Sequence, residues 1–399
     1  MTKILILYSS LGDGHLNAAK ALYEAFSQNP EVEVRIEDAL DYASALYRNT
    51  IIQLYKQLSE KVPLLYRAYY EGTDTTDLET SLDDNLSVAK LERLFFNKLE
   101  QLVIEFAPDA IVSVQQIPGR LIQLVEEKNQ LAIPHYVVIT DVIAHSSWLN
   151  YGINAYFIPS QLTANVLIQR GADPSLFQVT GIPVKLEIIK PKTQAEVRLK
   201  HNLPLNTPVV TVFGGGLNSK RVRTMVSELL SLLSEAMIIV AAGRNETLLE
   251  VLEDLEETEQ VQLRKLGLID YVDDLIVASD LIITKAGGLI TSEILARNTP
   301  MIIVDPIPGQ EEQNADVITI AGAGIQLRLI EMVGPAVEYL LKDRERLAQM
   351  RQVAEKVGQP RAALNIAEYI LNNIVSQTVS EVSLINVETV QNSELSIQT

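Results

Sequence analysis

The chain has no cysteine. Disulfides and thiolate metal sites are therefore excluded. It has one tryptophan, four histidines and only 6% aromatic residues. Chemistry that needs an imidazole or an indole has few positions to choose from. Bases are also scarce: 33 lysines and arginines against 51 aspartates and glutamates leave a net charge of −18. A field of that sign opposes binding to nucleic acid. No apolar run approaches the ~18 residues that span a bilayer, and the first strand is too short for a signal-peptide core. The chain reads as cytoplasmic.

What is present suits two cores. The 399 residues are 47% apolar, enough for two ordinary domains. Strand-like runs alternate with helical spacing from Lys3–Tyr8 through Glu31–Ile36, 110–114, 134–140, 155–159 and 177–180. The scheme restarts at Pro208–Phe213 and continues through 237–242, 261–266, 281–284 and 301–304. Such alternation predicts α/β architecture: two doubly wound, Rossmann-like domains with parallel sheets, facing a central cleft. The expected divisions are 1–183, 184–358, a C-terminal helix over 359–375, and a polar tail, 376–399, that reads as disordered. Glu246–Gln260 carries seven carboxylates and no base, which suits a solvated face.

Four clusters fall at the predicted carboxyl ends of strands. The first is Ser9-Ser10-Leu11-Gly12-Asp13-Gly14-His15. Its glycines let backbone approach a ligand, and a helix N-terminus follows. Asn17 stands where a dinucleotide fingerprint needs a third glycine, so an NAD role for Asp38 is a weak match. The second is Thr140 to Trp148, where Asp141 and His145 form a candidate base with an orienting partner and Trp148 a candidate stacking face. The third is Gly214-Gly215-Gly216. The fourth has Lys285, Gly287, Gly288 and Glu293 on one turn, and Gln310, Glu311 and Asn314 on the next. Backbone N–H groups at a helix start suit a diphosphate, and a carboxylate one turn later suits ribose hydroxyls. Amides and an acid on the adjacent rim suit a hexose.

The string TKAGGLITSEILARNTPMIIVDPIPGQEEQNA resembles the donor-site signature of family 28 glycosyltransferases. Within that family the chain is similar to monogalactosyldiacylglycerol synthases and processive diacylglycerol glucosyltransferases. SSLGDGHLNAAKAL, TDVIAHSSW, VTGIPV, FGGGLNS and AAGRNETL follow in the same order. The resemblance implies a GT-B fold and an inverting, metal-independent transfer of a hexose from a UDP-sugar to diacylglycerol or a related lipid. It places the donor at Gly214, Gly215, Gly216, Arg244, Asn245, the backbone at Leu268 and Ile269, Lys285, Gly287, Gly288 and Glu293. Gln310, Glu311 and Asn314 would meet the sugar. Asp141 or His145 would be the base, with His15 beside the reacting centre and Gly14 on the acceptor side.

Residues 46–70 form a basic, tyrosine-rich island with Tyr55, Tyr66 and Tyr69. Such a stretch suits a bilayer interface, and the resemblance puts a membrane-docking segment there. Peripheral contact with the inner face of a membrane is expected. Against it stand the acidic charge and Gln115-Gln116, where relatives carry His-Pro. These favour a soluble or polyprenyl acceptor of the MurG type. An epimerase on the same fold and a non-catalytic UDP-sugar-binding protein are further alternatives.

Overall fold

The structure, a computed structural model, describes residues 1–129 and 131–374. The expected tail, 376–399, lies outside the described residues. The N-terminal half holds β1 (Thr2–Tyr8), β2 (Val32–Asp38), β3 (Ala110–Ser113), β4 (His135–Val138), β5 (Ala155–Ile158) and β6 (Phe177–Val179). The C-terminal half holds β7 (Val209–Phe213), β8 (Ala236–Ala241), β9 (Val261–Leu266), β10 (Leu281–Thr284), β11 (Met301–Val304) and β12 (Gly324–Leu327). Strand order is 2-1-3-4-5-6 in one sheet and 12-11-10-7-8-9 in the other. Every strand pair is parallel.

The continuous apolar runs explain the parallel sheets, because both faces of each are covered. Ile4 and Ile6 join one buried cluster, while Leu5 and Leu7 join another on the opposite face. In the second half, Val210 and Val212 pack against the helix Ser219–Leu232. The last helical stretch, 362–374, returns to the first half: Ala363, Ile366 and Ile370 pack against the Ile4 cluster. The sequence left that side open.

Each sheet reverses its winding between two central strands, β1/β3 and β10/β7. A doubly wound sheet opens its ligand crevice at that point. The helices Asp13–Phe26 and Gly288–Ala296 start there, and their ends face each other across the cleft. The proposed division at 183/184 falls in an extended segment between the sheets. Just beyond it, Arg297 binds Asp273 at 2.6 Å through two nitrogens and donates to the Glu187 and Lys190 carbonyls. The linker from Glu187 onward is thereby fixed to the C-terminal half.

Candidate active site

β1 delivers the chain into a turn in which Gly12 has φ +99°, a conformation that strains any side chain. Asp38, at the end of β2, accepts from the Ser10 and Leu40 N–H groups at 3.3 and 2.9 Å. It shapes this turn. His15 lies in the first turn of the helix that follows. Its Nδ1 is 3.0 Å from the Val114 carbonyl and 3.0 Å from Thr140 Oγ1. A carbonyl only accepts, so Nδ1 carries the proton and Nε2 keeps its lone pair. Desolvation lowers the pKa to about 4, so the ring is neutral near pH 7. Gly14 is exposed, with open space around it.

The loop after β4 gathers the other candidates. Asp141 is buried, and its Oδ2 accepts from Trp148 Nε1 at 2.7 Å and from Gln116 Nε2 at 3.5 Å. Its Oδ1 accepts from Gln310 Nε2 of the other half. Desolvation dominates over these bonds and raises its pKa to about 6. Trp148 is fully buried. It therefore offers no stacking face to a sugar or lipid, and supports Asp141 through its indole N–H instead. His145 is also engaged on both sides. Nε2 donates to the Tyr70 carbonyl at 2.9 Å, and Nδ1 accepts from the Ser147 N–H at 3.0 Å. Burial lowers its pKa. With neither nitrogen open in this arrangement, His145 ties the loop to the Tyr70 carbonyl.

On the opposite rim, Gly214, Gly215 and Gly216 are crowded. An added Cβ would lie 2.6 Å from Leu248 Cδ2, 2.9 Å from the Ala242 carbonyl and 2.7 Å from Lys285 Cε, respectively. Backbone packing requires glycine at Gly215, while the neighbours of Gly214 and Gly216 are side chains. Asn245 caps the helix Glu246–Leu252 by accepting from Leu248 N–H at 3.0 Å, with Arg244 and Ile269 on neighbouring strand ends. Lys285 pairs with Glu311 at 2.7 Å, and Glu311 also accepts from Ile307 N–H at 2.9 Å. Asn314, fully buried, bridges the halves. Its Oδ1 accepts from Val142 N–H at 3.2 Å and its Nδ2 donates to the Ala286 carbonyl at 2.8 Å. In this closed arrangement Glu311 and Asn314 are bound to protein, not turned toward a sugar. Asp305, at φ +44°, pairs with Arg221 at 2.6 Å.

Gly287 and Gly288 begin a helix whose N-terminal N–H groups have no intrahelical partner. A Cβ on Gly288 would lie 2.6 Å from the Thr140 carbonyl. This glycine lets the two halves touch beside His15. Glu293, one turn further, is buried, and desolvation raises its pKa to about 7. Among the described residues no hydrogen bond reaches its carboxylate.

The tyrosine-rich island folds as the helices Ala45–Lys61 and Pro63–Gly72. Its tyrosines divide. Tyr69 is exposed, along with Leu46, Leu54, Val62 and Leu65. Tyr55 is half-buried near Gly12. The side chain of Tyr66 lies outside the described residues. Tyr70 is buried against His145, ring centroids 4.6 Å apart. Its ring also fills the space where Gly309, φ +91°, would carry a side chain. Arg67 reaches Glu312 of the C-terminal half at 3.0 Å. Among the described residues no helix is long and apolar enough to cross a membrane.

Thr140 and Gln116, noted in the sequence without these contacts, and Tyr70 are further residues of the site. Thr140 and Gln116 lie beside residues singled out above, but their partners come from remote elements. Tyr70 carried only an interfacial signal.

Comparisons with known proteins follow this division. The model described as "Monogalactosyldiacylglycerol (MGDG) synthase" matches residues 15–184, and "Glycosyltransferase family 28 C-terminal domain" matches residues 209–366. A processive diacylglycerol beta-glucosyltransferase of Bacillus pumilus is 28% identical over 369 residues, 92% of this chain and 94% of that protein. The counterpart of Bacillus subtilis is 26% identical over 377 residues, 94% and 95%. Among solved structures, Acinetobacter baumannii MurG covers 93% of this chain and 100% of its own at a TM-score of 0.61 and 15% identity, which bears on the fold alone. Motifs, twin sheets and both matched models agree on a GT-B fold whose N-terminal half matches the monogalactosyldiacylglycerol synthase family and whose C-terminal half matches the family 28 glycosyltransferases.

Proposed function

We propose that the protein transfers a hexose from a UDP-sugar to the free hydroxyl of diacylglycerol, with inversion at the anomeric carbon and without a metal. The observation that carries the chemistry is the open Nε2 of His15, fixed in that tautomer by the Val114 carbonyl. The acceptor oxygen attacks the anomeric carbon and its proton passes to Nε2. The bond from the anomeric carbon to the diphosphate oxygen breaks with its electron pair, and UDP leaves. The N–H groups at Gly287 and Gly288, with Lys285, face the charge that develops there. Glu293 serves the ribose.

Asp141 supports a second assignment of the base. It follows Thr140, whose hydroxyl meets the His15 ring, and a pKa of about 6 leaves it ionised yet basic near neutrality. Substrate would have to displace Gln310 first, which favours His15. Exposed Leu65 and Tyr69 support peripheral contact with a bilayer, beside a helix that touches both halves.

His15→Ala is the test. Turnover should fall by about 10²–10⁴-fold while UDP affinity by calorimetry stays unchanged. Unaltered turnover would remove His15 as the base.

A further inference from the structure

Beside the linker, the two halves leave a cavity of about 310 Å³. Val142 and Ile182 line it from the first half, and Leu295, Val317 and Ala321 from the second. Val357, on the path back to the N-terminal sheet, also lines it. Most polar side chains among them are already satisfied; the Gln359 amide, at the partly exposed edge, is the exception. Thr291 and Ser292 turn their hydroxyls onto the Gly287 and Gly288 carbonyls, at 2.7 Å each. The Val142 carbonyl accepts from Thr163 Oγ1 at 2.6 Å, and its N–H is held by Asn314. A polar ligand would find little to bind, and water is poorly held in such a space.

An apolar cavity of ~150 Å³ takes a benzene ring, so this one has room for a hydrocarbon of roughly ten carbons. Leu162 and Ile320, both exposed, stand among its lining residues. Neither Asp141 nor His15 lines the cavity, and the Gly288–Thr140 contact and the bond from Val142 to Asn314 join the halves beside it. The cavity is thus a widening of the interdomain interface, set apart from the acceptor hydroxyl.

We propose that it binds a single hydrocarbon chain of a lipid other than the reacting acceptor, and that the bound chain stabilises the closed cleft. Both halves and the returning segment line the cavity, so domain opening strips contacts from the chain. A UDP-sugar held between the same halves favours the same arrangement. Each ligand therefore tightens the other, and the coupling is reciprocal. The inference takes from the lipid-acceptor reading only the source of the chain.

The test titrates the full-length protein with 1-decanol, then with UDP in its presence and absence. One decanol site is expected, with UDP affinity at least about fivefold higher when it is filled. Val317→Trp and Ala321→Phe, each filling the cavity from a partly exposed position, should abolish both effects and leave UDP affinity without decanol unchanged. Either variant suffices if the other misfolds. Decanol binding that is absent from the natural protein, or persists in the filled variants, would overturn the proposal. So would binding that appears only after residues 376–399 are deleted, since the tail would then be the occupant. Failure of the transferase reading would show separately, as no transfer to diacylglycerol by any of these proteins.

Discussion

Gln310 of the C-terminal half donates its side-chain amide to the Asp141 carboxylate of the N-terminal half. Trp148 holds the other oxygen of the same carboxylate at 2.7 Å. One acid thus receives a donor from each domain, and its surroundings are complete only when the cleft is closed. Gln310→Glu would set a second carboxylate against it. Turnover at pH 7 should fall by at least about tenfold, with the acidic limb of the pH profile moved to higher pH, because adjacent carboxyls share a proton. An unchanged profile in steady-state kinetics would separate Gln310 from the reacting centre.

The pH dependence distinguishes the two base assignments. Either group works deprotonated, so kcat/KM falls as pH drops through its free-enzyme pKa. A limb near pH 6 marks Asp141, whose carboxyl is raised to about 6 by burial. Activity that persists to about pH 4 marks His15, lowered to about 4 by desolvation. In Asp141→Asn the limb near 6 should vanish.

Glu293 carries a cost that ligand binding offsets. Its pKa is raised to about 7, so the folded protein holds a proton that the unfolded chain releases above about 4.5. Stability from this group is present below that pH and is lost as pH rises through about 7. Glu293→Gln should therefore be more stable than the natural protein at pH 8, by up to about 3 kcal/mol, with the gap closing toward pH 4. UDP binding should weaken by about 1.5–3 kcal/mol in Glu293→Ala. Thermal unfolding against pH, together with calorimetry, reads both.

His145 holds a helix rather than a proton in transit. His145→Ala leaves the Tyr70 carbonyl to the Thr73 hydroxyl, at 3.3 Å, and should cost about 1 kcal/mol of stability or more. UDP affinity should change little. A loss of turnover as large as that of His15→Ala, in a protein of normal stability, would return His145 to the chemistry.

The exposed face of the tyrosine helix predicts lipid contact. Leu65→Glu and Tyr69→Glu place charge where an acyl boundary would lie. Flotation with anionic vesicles should weaken by about tenfold or more in the double variant. UDP binding should be unaffected. Equal flotation would make this face a plain surface.

The fold was largely legible because buried parallel strands read as unbroken apolar runs, as at Ile4–Leu7 and Met301–Val304. β12 was missed because Gly324–Leu327 is a short, half-exposed edge strand with no such run. The return of residues 362–374 to the first sheet depends on tertiary packing that periodicity cannot express. The positions of Lys285, Gly288 and Glu293, just past β10 and in the helix that follows, were readable from the strand-to-helix pattern. The engagement of Asn314 and Glu311 by other protein groups was not, since Val142 lies 172 residues from Asn314. The lone tryptophan drew a ligand-stacking reading, but it is buried, and its indole N–H serves Asp141. Burial of an indole is invisible in a loop motif.

The central claim is transfer to a lipid hydroxyl. Its most direct measurement is UDP release from UDP-glucose, UDP-galactose and UDP-N-acetylglucosamine, with and without vesicles containing diacylglycerol, followed by mass analysis of the extracted lipid. The account predicts release that requires diacylglycerol with at least one donor, and a lipid heavier by one sugar residue. Equal release with and without the lipid, and no sugar-bearing lipid from any donor, would contradict it.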